Sequence, residues 1–252
     1  MAIQIIGRKV ESNLDEVLIE RAGGVYAHPR KIDALPTAVE INPGEYALVQ
    51  EGTQANSAMS MRQRFNGLKH KDTIVTVLKS GFFVPNTKKF ITQYKNVNEA
   101  LQGRGVLYDA SGVLIEGKGL KQYSQTLNHD CWVWLNDSFE KGEGFLGLDV
   151  ITATGLKDGK LIFQREPLED CLQEDGYADL ESVNNQGFPT KKSPVDKYEL
   201  GKSIYFWHPR KDLAVRFYAD PVDAALDCGR YPQYSYSELG VFDYAEGAEK
   251  NK

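Results

Sequence analysis

The sequence predicts an α+β protein with short mixed and antiparallel strands, and three observations carry this prediction. Apolar residues recur at spacings of four, three and four from Phe90 to Leu101, which indicates an amphipathic helix. A second helix is predicted over 120–127. Runs rich in β-branched and aromatic residues, such as 204–207, indicate strands on both sides of these helices. Helices that are grouped in the middle of a strand-rich chain are typical of the α+β class.

The remaining elements follow from local pattern and turn residues. Strands are predicted at 2–6, 46–50, 72–84, 106–108, 113–115, 132–135, 145–153 and 161–163. Asn13 is predicted to cap a short helix that carries Leu14, Val17, Leu18 and Arg21 on one face. Residues 166–202 are polar and rich in turn-forming residues, so they predict a long irregular excursion rather than a linker.

Composition and charge exclude several classes of protein. The 252 residues include 30 Lys and Arg against 35 Asp and Glu, which gives a net charge of −5. A general nucleic-acid binder needs a surplus of clustered basic residues, so no nucleic-acid partner is predicted. No signal peptide and no apolar run of about 20 residues is visible, so no membrane span is predicted. A cytoplasmic location is the default, and display at a surface stays open.

The cysteines and histidines predict no disulfide framework, metal site or cofactor. Cys131, Cys171 and Cys228 are an odd number at wide spacing, without a CxxC pair. The four histidines lack the HExxH spacing of a zinc site. The acidic cluster Asp170, Glu174 and Asp175 lacks the ligand spacing of a calcium loop and is interpreted as a solvated surface.

One constellation resembles an active site. Gln125, Cys131 and Trp132 have a spacing that is similar to the active-site segment of papain-like cysteine proteases, in which the Gln donates to an oxyanion and the Cys is the nucleophile. His208 is the only downstream residue that could serve as the base that forms the thiolate. Residues 128–130 are Asn-His-Asp, where that family has Gly and Ser. A cysteine hydrolase is therefore the alternative function, and a protein that is not an enzyme is preferred.

The C-terminal segment 218–244 is unusual in composition. It is about a tenth of the chain but holds five of the 13 Tyr, and it contains no Lys. Small or apolar residues alternate there with Tyr, Asp, Gly and Ala, as a half-buried strand requires. Tyr, Asp, Ser and Gly are residue types that paratopes use, because Tyr gives rigid, amphipathic contact area and small polar residues adapt around it.

The alternation divides this segment into two sets of residues. The outward set is predicted to bind the ligand: Tyr218, Asp220, Val222, Asp223, Ala225, Asp227, Gly229, Tyr231, Tyr234 and Tyr236. The inward set is predicted to form a fixed scaffold: Phe217, Ala219, Ala224, Leu226, Cys228, Ser235, Ser237, Leu239 and Gly240. The carboxylates of Asp220, Asp223 and Asp227 favour a basic or hydroxyl-rich ligand.

Trp207, Ala-Val-Arg-Phe at 214–217, the alternating segment and Leu239-Gly-Val-Phe242 together resemble the variable region of diversity-generating retroelement target proteins, with the archaeal members most similar. The resemblance implies a C-type-lectin-like fold with two helices over 76–247, with residues 1–75 packed on the same unit and 248–252 as a tail. It also implies a receptor-type binding protein whose region 214–244 is diversified by adenine-directed mutagenesis. Such mutagenesis of Asn codons cannot yield Lys, Glu, Gln, Met or Trp, and all ten outward residues are of other types. The implied partner is an unknown macromolecule, in first place a protein.

Overall fold

A computed structural model of the chain describes residues 8–11, 15–21, 24–35, 37–51 and 54–247. Within these ranges, three helices combine with thirteen strands, so the α+β class is confirmed. The helices are α1 (His70–Lys79), α2 (Thr87–Leu101) and α3 (Gly117–Asn128). No helix of the described part is long and apolar enough to cross a membrane.

The strands follow the chain from β1 to β13. They are β1 (Arg8–Glu11), β2 (Glu16–Arg21), β3 (Gly24–Pro29), β4 (Tyr46–Glu51), β5 (Gln54–Ser60), β6 (Cys131–Lys141), β7 (Leu148–Lys157), β8 (Lys160–Pro167), β9 (Gly176–Asp179), β10 (Ser203–Trp207), β11 (Ala214–Ala219), β12 (Ala224–Arg230) and β13 (Tyr244–Glu246). A seven-stranded sheet has the order β8-β7-β6-β11-β12-β10-β9, and its neighbours are antiparallel except for the parallel pair β10 and β12. Two three-stranded sheets have the orders β1-β2-β3 and β13-β5-β4.

The main core lies between helix α2 and one face of the large sheet, which we call the inner face. The rings of Phe90 and Tyr94 in α2 lie 4.8 and 5.0 Å from the ring of Phe217 in β11, between centroids. All three side chains are fully buried. Burial of such side chains contributes about 1.5–3 kcal/mol each, so this contact fixes α2 on the sheet.

The opposite face of the large sheet, the outer face, is covered at one end by α1. Ile74 and Val77 of α1 form a buried cluster with Ala153 of β7 and with Val241. Leu239 covers Trp134 of β6 and Ala214 of β11 on the same face. Farther along the face, over β11, β10 and β9, the side chains of Tyr218, Tyr205 and Tyr177 are only half-buried.

The sheet β13-β5-β4 connects residues 46–60 and the C-terminal end of the described chain to the main core. Tyr244 and Glu246 of β13 pair with Met59 and Ser57 of β5. Val49 of β4 and Met59 belong to the same buried cluster as α2 and the inner face. Residues 46–60 therefore share the core of the large sheet.

The structure confirms the helices predicted around Phe90 and over 120–127. Helix α2 begins after Asn86, whose side chain accepts a hydrogen bond of 3.0 Å from the Lys89 backbone N–H, and such a cap satisfies one of the free donors of the first turn. The predicted strand at 145–153 begins at Leu148, after a short 3-10 turn. Strand β9 is the one strand of the described part within the predicted irregular stretch 166–202.

Several predicted elements are wrong. Residues 72–84 contain α1 instead of a strand, so a third helix joins the two that the resemblance implied. The predicted strands 106–108 and 113–115 form only isolated bridges. Glu16–Arg21 is strand β2 instead of the second half of a helix. The rest of that predicted helix, at 13–14, and the predicted strand 2–6 and tail 248–252 lie outside the described residues.

Candidate ligand-binding surface

Two rows of side chains cross the outer face of the large sheet, because paired residues of adjacent strands point to the same face. The first, which we call the aromatic row, consists of Trp132, Tyr218, Ala225, Tyr205 and Tyr177. The second row consists of Trp134, Arg216, Asp227 and Trp207.

The aromatic row forms a half-exposed apolar strip. The Trp132 and Tyr218 rings are stacked, with centroids 5.3 Å apart and planes at 22°. The Tyr205 ring lies 5.2 Å from Tyr177 and 5.3 Å from Trp207. Offset and edge contacts of this kind stabilise aromatic pairs. The strip is therefore ordered before any ligand arrives.

A buried ion pair lies in the second row. The Arg216 Nη2 atom donates to Asp227 Oδ2 at 2.9 Å, and the two residues are 6% and 7% exposed. The guanidinium carbon lies 5.1 Å from the Trp132 ring centroid and 5.2 Å from that of Tyr218. Burial lowers the pKa of Arg216, while the Asp227 carboxylate opposes this shift. Asp227 is thus occupied within the fold.

A tight turn joins β11 to β12 at residues 220–223. The Asp220 carboxylate accepts backbone N–H bonds from Val222 at 2.9 Å and from Asp223 at 2.8 Å. This leaves Val222 80% exposed at the tip of the turn. Partial burial raises the pKa of the Asp223 carboxyl group, and its bond from the Ala224 N–H lowers it.

Residues 231–238, which we call the tyrosine loop, present three ring systems to solvent. Tyr231, Tyr234 and Tyr236 are 60%, 44% and 43% exposed. Their rings contact one another, with centroids 5.7 Å apart for the first pair and 6.2 Å for the second. The Arg230 guanidinium lies 4.6 Å from the Tyr234 centroid, a cation–π distance. The tyrosines thus form a cluster on the surface.

The backbone of the tyrosine loop is held by the segment that leads into α1. The His70 N–H donates to the Pro232 carbonyl at 3.1 Å, and the Gly67 N–H donates to the Leu239 carbonyl at 2.9 Å. The Gln63 side-chain amide donates to the carbonyl of Glu238. Main-chain bonds of this kind do not depend on the identity of the tyrosine side chains.

Gly240 follows the tyrosine loop, at a close approach of two chain segments. Its N–H donates to the Trp132 carbonyl and its carbonyl accepts from the Trp134 N–H, both at 2.9 Å. A Cβ atom at this position would lie 2.0 Å from Asn66 Oδ1 and 2.6 Å from the Arg64 carbonyl. A side chain has no room here, so the position must remain Gly.

The ten predicted ligand-binding residues fall into three groups. The exposed ones are Val222, Tyr231, Tyr234 and Tyr236. The half-buried ones are Tyr218, Asp220, Asp223 and Gly229. Ala225 and Asp227 lie on the outer face, as predicted, but they are buried. Ala225 is covered because its neighbours in the row, Tyr218 and Tyr205, are large, and Asp227 is covered because it pairs with Arg216.

The inward placement of the predicted scaffold residues is confirmed in β11, in β12 and after the loop, but not within the loop. Buried as predicted are Phe217, Ala219, Ala224, Leu226, Cys228, Leu239 and Gly240. Ser235 and Ser237 are exposed, so their inward assignment is wrong. The loop forms two turns, closed by Tyr234 N–H to Tyr231 O and Leu239 N–H to Tyr236 O, and a chain that turns has no period-two faces.

Neighbouring strands contribute four aromatic side chains that were not among the predicted site residues. Trp132, Tyr177, Tyr205 and Trp207 lie beside the predicted residues on the same face. A signal was present at 204–207, where Tyr205 and Trp207 alternate with two residues that are fully buried. The order of the strands could not be read from the sequence, and it is this order that places β10 beside β12.

The residues of the alternative hydrolase are not assembled into a site. Cys131 is fully buried on the inner face, and burial raises the pKa of its thiol well above the ordinary value. His208 follows β10, which is separated from β6 by β11 and β12, or about 14 Å at the usual strand spacing. Gln125 lies in α3, where it lines a cavity of about 540 Å³ that is lined by neither Cys131 nor His208.

His208 is instead engaged with Asp175, which the sequence analysis assigned to a solvated acidic surface. The His208 Nδ1 and Asp175 Oδ1 atoms are 2.6 Å apart, and Arg210 Nη2 donates to the other carboxylate oxygen at 2.7 Å. The pKa of Asp175 is lowered by these bonds, against the effect of its partial burial. The three side chains tie the end of β10 to the start of β9.

In the part of the chain that the structure describes, no group of three or more His, Cys, Asp or Glu side chains is arranged to hold a metal ion. Comparison of the chain with protein-family models, curated proteins and solved structures finds no match. The geometry of the outer face is therefore the basis for a functional hypothesis.

Proposed function

We propose that this protein is a receptor-type binding protein that recognises a macromolecular ligand, in first place a protein. Its binding surface would combine the exposed end of the aromatic row, the turn 220–223 and the tyrosine loop. The proposal extends to the fold family: a C-type-lectin-like domain whose C-terminal surface is diversified by a retroelement. No catalytic step is part of it.

One observation carries the proposal. The tyrosine loop exposes large side chains, while its backbone is held by main-chain bonds to 67–70 and by the close contact at Gly240. Substitution of an exposed side chain usually changes stability by only about 0.5 kcal/mol. A surface with this division of roles tolerates many side-chain combinations on one backbone, which is the property that a diversified binding site requires.

The shape and chemistry of the surface favour a protein ligand over a small molecule. Small-molecule sites are concave and enclose most of their ligand. Two cavities of about 400 and 540 Å³ lie elsewhere, beside α2 and α3. Exposed Tyr and Trp are enriched at protein interfaces because they combine apolar area with a polar group. With Asp227 neutralised by Arg216, Asp220 and Asp223 remain as the carboxylates that favour a basic group on the ligand.

The degree of burial of the ten outward residues indicates which of them would vary. We assign the ligand contacts to the eight exposed or half-buried ones: Tyr218, Asp220, Val222, Asp223, Gly229, Tyr231, Tyr234 and Tyr236. Ala225 and Asp227 would instead be constrained. A larger residue at position 225 would overpack a buried site. An uncharged residue at position 227 would leave the buried Arg216 without its counter-charge.

The test of diversification is to sequence the DNA that flanks the coding region. We expect a near-copy of the codons for 214–244 beside a reverse transcriptase gene, with differences only where the copy has adenine. These differences should fall on the eight assigned positions and spare Gly240. Flanking DNA without such a copy would contradict the proposed diversification.

The test of the binding surface is a triple substitution, Tyr231→Ala, Tyr234→Ala and Tyr236→Ala. We expect the melting temperature to fall by less than about 5 °C, because the three rings are exposed and the loop backbone is held by other bonds. The matched control is Tyr94→Ala, which empties a fully buried site and should cost about 3–5 kcal/mol. If the triple variant lost as much stability as the control, the tyrosines would be structural and the binding surface would be elsewhere.

A further inference from the structure

Strand β8 is an uncovered edge of the large sheet. In the part of the chain that the structure describes, β8 pairs with β7 on one side and with no strand on the other. All of its residues except Leu161 are exposed. Ile162 and Phe163 are 45% and 50% exposed, and they point to opposite faces because they are consecutive in a strand. Long edge strands with exposed apolar residues are templates for further pairing.

The other edge of the same sheet is protected. Beyond β9, the backbone N–H groups of Asp179 and Ser193 donate to the carbonyls of Lys191 and Tyr177, and Ala178 forms a bridge with Lys192. Residues 191–193 therefore cover the edge formed by β9. The contrast leaves β8 as the edge that can accept a partner.

The hydrogen-bonding phase of β8 shows which groups are available. Leu168, just past β8, donates its N–H to Leu148 at 3.1 Å, so even-numbered residues face β7 in this antiparallel ladder. The bond from Thr154 Oγ1 to the Ile162 carbonyl, at 3.4 Å, agrees with this phase. The N–H and C=O groups of Leu161, Phe163 and Arg165 therefore point away from β7.

We propose that two copies of this protein associate through β8, as an antiparallel pair centred on Phe163. In this register, Phe163 pairs with Phe163 of the second copy, and Leu161 pairs with Arg165. All three outward residues of each copy then bond, which gives six main-chain hydrogen bonds across the two-fold axis. The two seven-stranded sheets become one continuous sheet.

Charge selects this register over its neighbours. Centring on Phe163 places Lys160 opposite Glu166 in both halves, and opposite charges that face each other across a pair of strands are stabilising. Centring on Ile162 would place Asp158 opposite Glu166, which is a repulsive pair. Centring on Gln164 would place Leu161 opposite Pro167, which has no N–H to donate.

The side chains of the proposed pair are also compatible. The Arg165 guanidinium bonds to Asp149 at 3.1 Å and to Glu140 within its own copy, so its aliphatic stem is free to cover Leu161 of the second copy. The two Phe163 rings meet on the face that carries Ala153 and α1. In the pair, the side chains of Ile162 and Phe163, which are about half exposed in the single copy, lose contact with water.

The test is sedimentation equilibrium of the full chain over a concentration series. We expect a monomer–dimer equilibrium for the unmodified protein. Lys160→Glu should raise the dimer dissociation constant about tenfold, because two attractive pairs become repulsive. Combining Lys160→Glu with Glu166→Lys should restore the original constant. The matched control Lys192→Glu changes the same charge at an exposed site away from β8 and should have no effect.

A backbone variant tests the main-chain bonds separately. Phe163→Pro removes an N–H that faces away from β7, so the monomer should keep its melting temperature while the dimer is lost. Should this variant fail to fold, the charge exchange still decides the question. A chain that is monomeric up to about 1 mM, or a dimer that Lys160→Glu leaves unchanged, would overturn the proposal. Neither result would affect the proposed tyrosine surface, which lies on other strands.

Discussion

Replacing Asp227 with Ala is expected to lower the free energy of unfolding by about 3–5 kcal/mol, because it leaves the buried Arg216 guanidinium without its counter-charge. Both residues are less than a tenth exposed. The variant also loses the bond from the Gly229 N–H to Asp227 Oδ1, at 3.0 Å. Urea denaturation of the two proteins at neutral pH measures the difference.

Two further variants distinguish the effect of leaving the Arg216 charge unpaired from the general effect of removing an aspartate. Asp196→Ala removes an exposed carboxylate and should change stability by no more than about 0.5 kcal/mol. The double variant Arg216→Met with Asp227→Leu replaces the ion pair by apolar side chains and should recover most of the loss, as such replacements often do. A loss below about 1 kcal/mol in Asp227→Ala would refute a structural role for the pair.

The second large effect is a loss of stability on acidification, caused by His70. Its side chain is buried against Trp134, with ring centroids 5.2 Å apart, and its Nε2 atom lies 2.7 Å from the Leu135 carbonyl, to which it donates as a neutral imidazole. Burial lowers the pKa of His70 from 6.5 to about 4. Between these two values the unfolded chain binds a proton that the folded protein does not.

The sign and size of the effect follow from this difference. Stability is fully present above pH 6.5, falls as the pH drops toward 4, and then levels off as far as His70 is concerned. A shift of this size corresponds to about 3 kcal/mol. Denaturation curves at intervals between pH 7 and 4 should show this slope, and the curves for His70→Gln should lack it. Parallel curves for the two proteins would show that His70 is not the responsible group.

The same histidine links stability to the proposed binding surface. The His70 backbone N–H bonds to Pro232 in the tyrosine loop, and the Trp134 Nε1 atom donates to the Leu68 carbonyl at 3.1 Å. Protonation of His70 therefore acts on the segment that supports the loop.

Helices α2 and α3 could be predicted because their signals are local. The apolar spacing from Phe90 to Leu101 lies within α2 itself. Helix α1 could not, because Thr73, Ile74, Val75 and Thr76 are all β-branched, and residues of this type are typical of strands.

 In helix α1, Val77 extends the run of β-branched residues that begins at Thr73. What makes the segment helical is tertiary packing, since Ile74 and Val77 meet Ala153 and Val241 on one side.

Strand β2 shows the opposite error. The spacing of its apolar residues fitted a helix face, yet Val17 and Ile19 are fully buried with Leu18 between them only half-buried, which is a period of two. A short run can satisfy both periods. Pairing with β1 on one side and β3 on the other decides in favour of the strand.

The candidate site was predicted to the extent that it depends on β11 and β12. Their alternation gave the correct faces for Phe217 and Leu226, which are buried, and for Tyr218. Two features of the candidate site could not be predicted from a single sequence. One is the pairing of Arg216 with Asp227 across two strands, and the other is the loop geometry of 231–238, which depends on contacts with a segment more than 150 residues earlier.

The position of β8 has a consequence for avidity in the proposed pair. A two-fold axis perpendicular to the joined sheet turns both outer faces to the same side. Strand β11 lies three strands from β8, so the two tyrosine surfaces would be separated by seven strand spacings, or about 35 Å. Two copies of a ligand on one cell or particle could then be held at once, and the second contact would form at a high effective concentration. Modest single-site affinity, which a surface of frequently changing residues would often have, would then suffice for stable attachment.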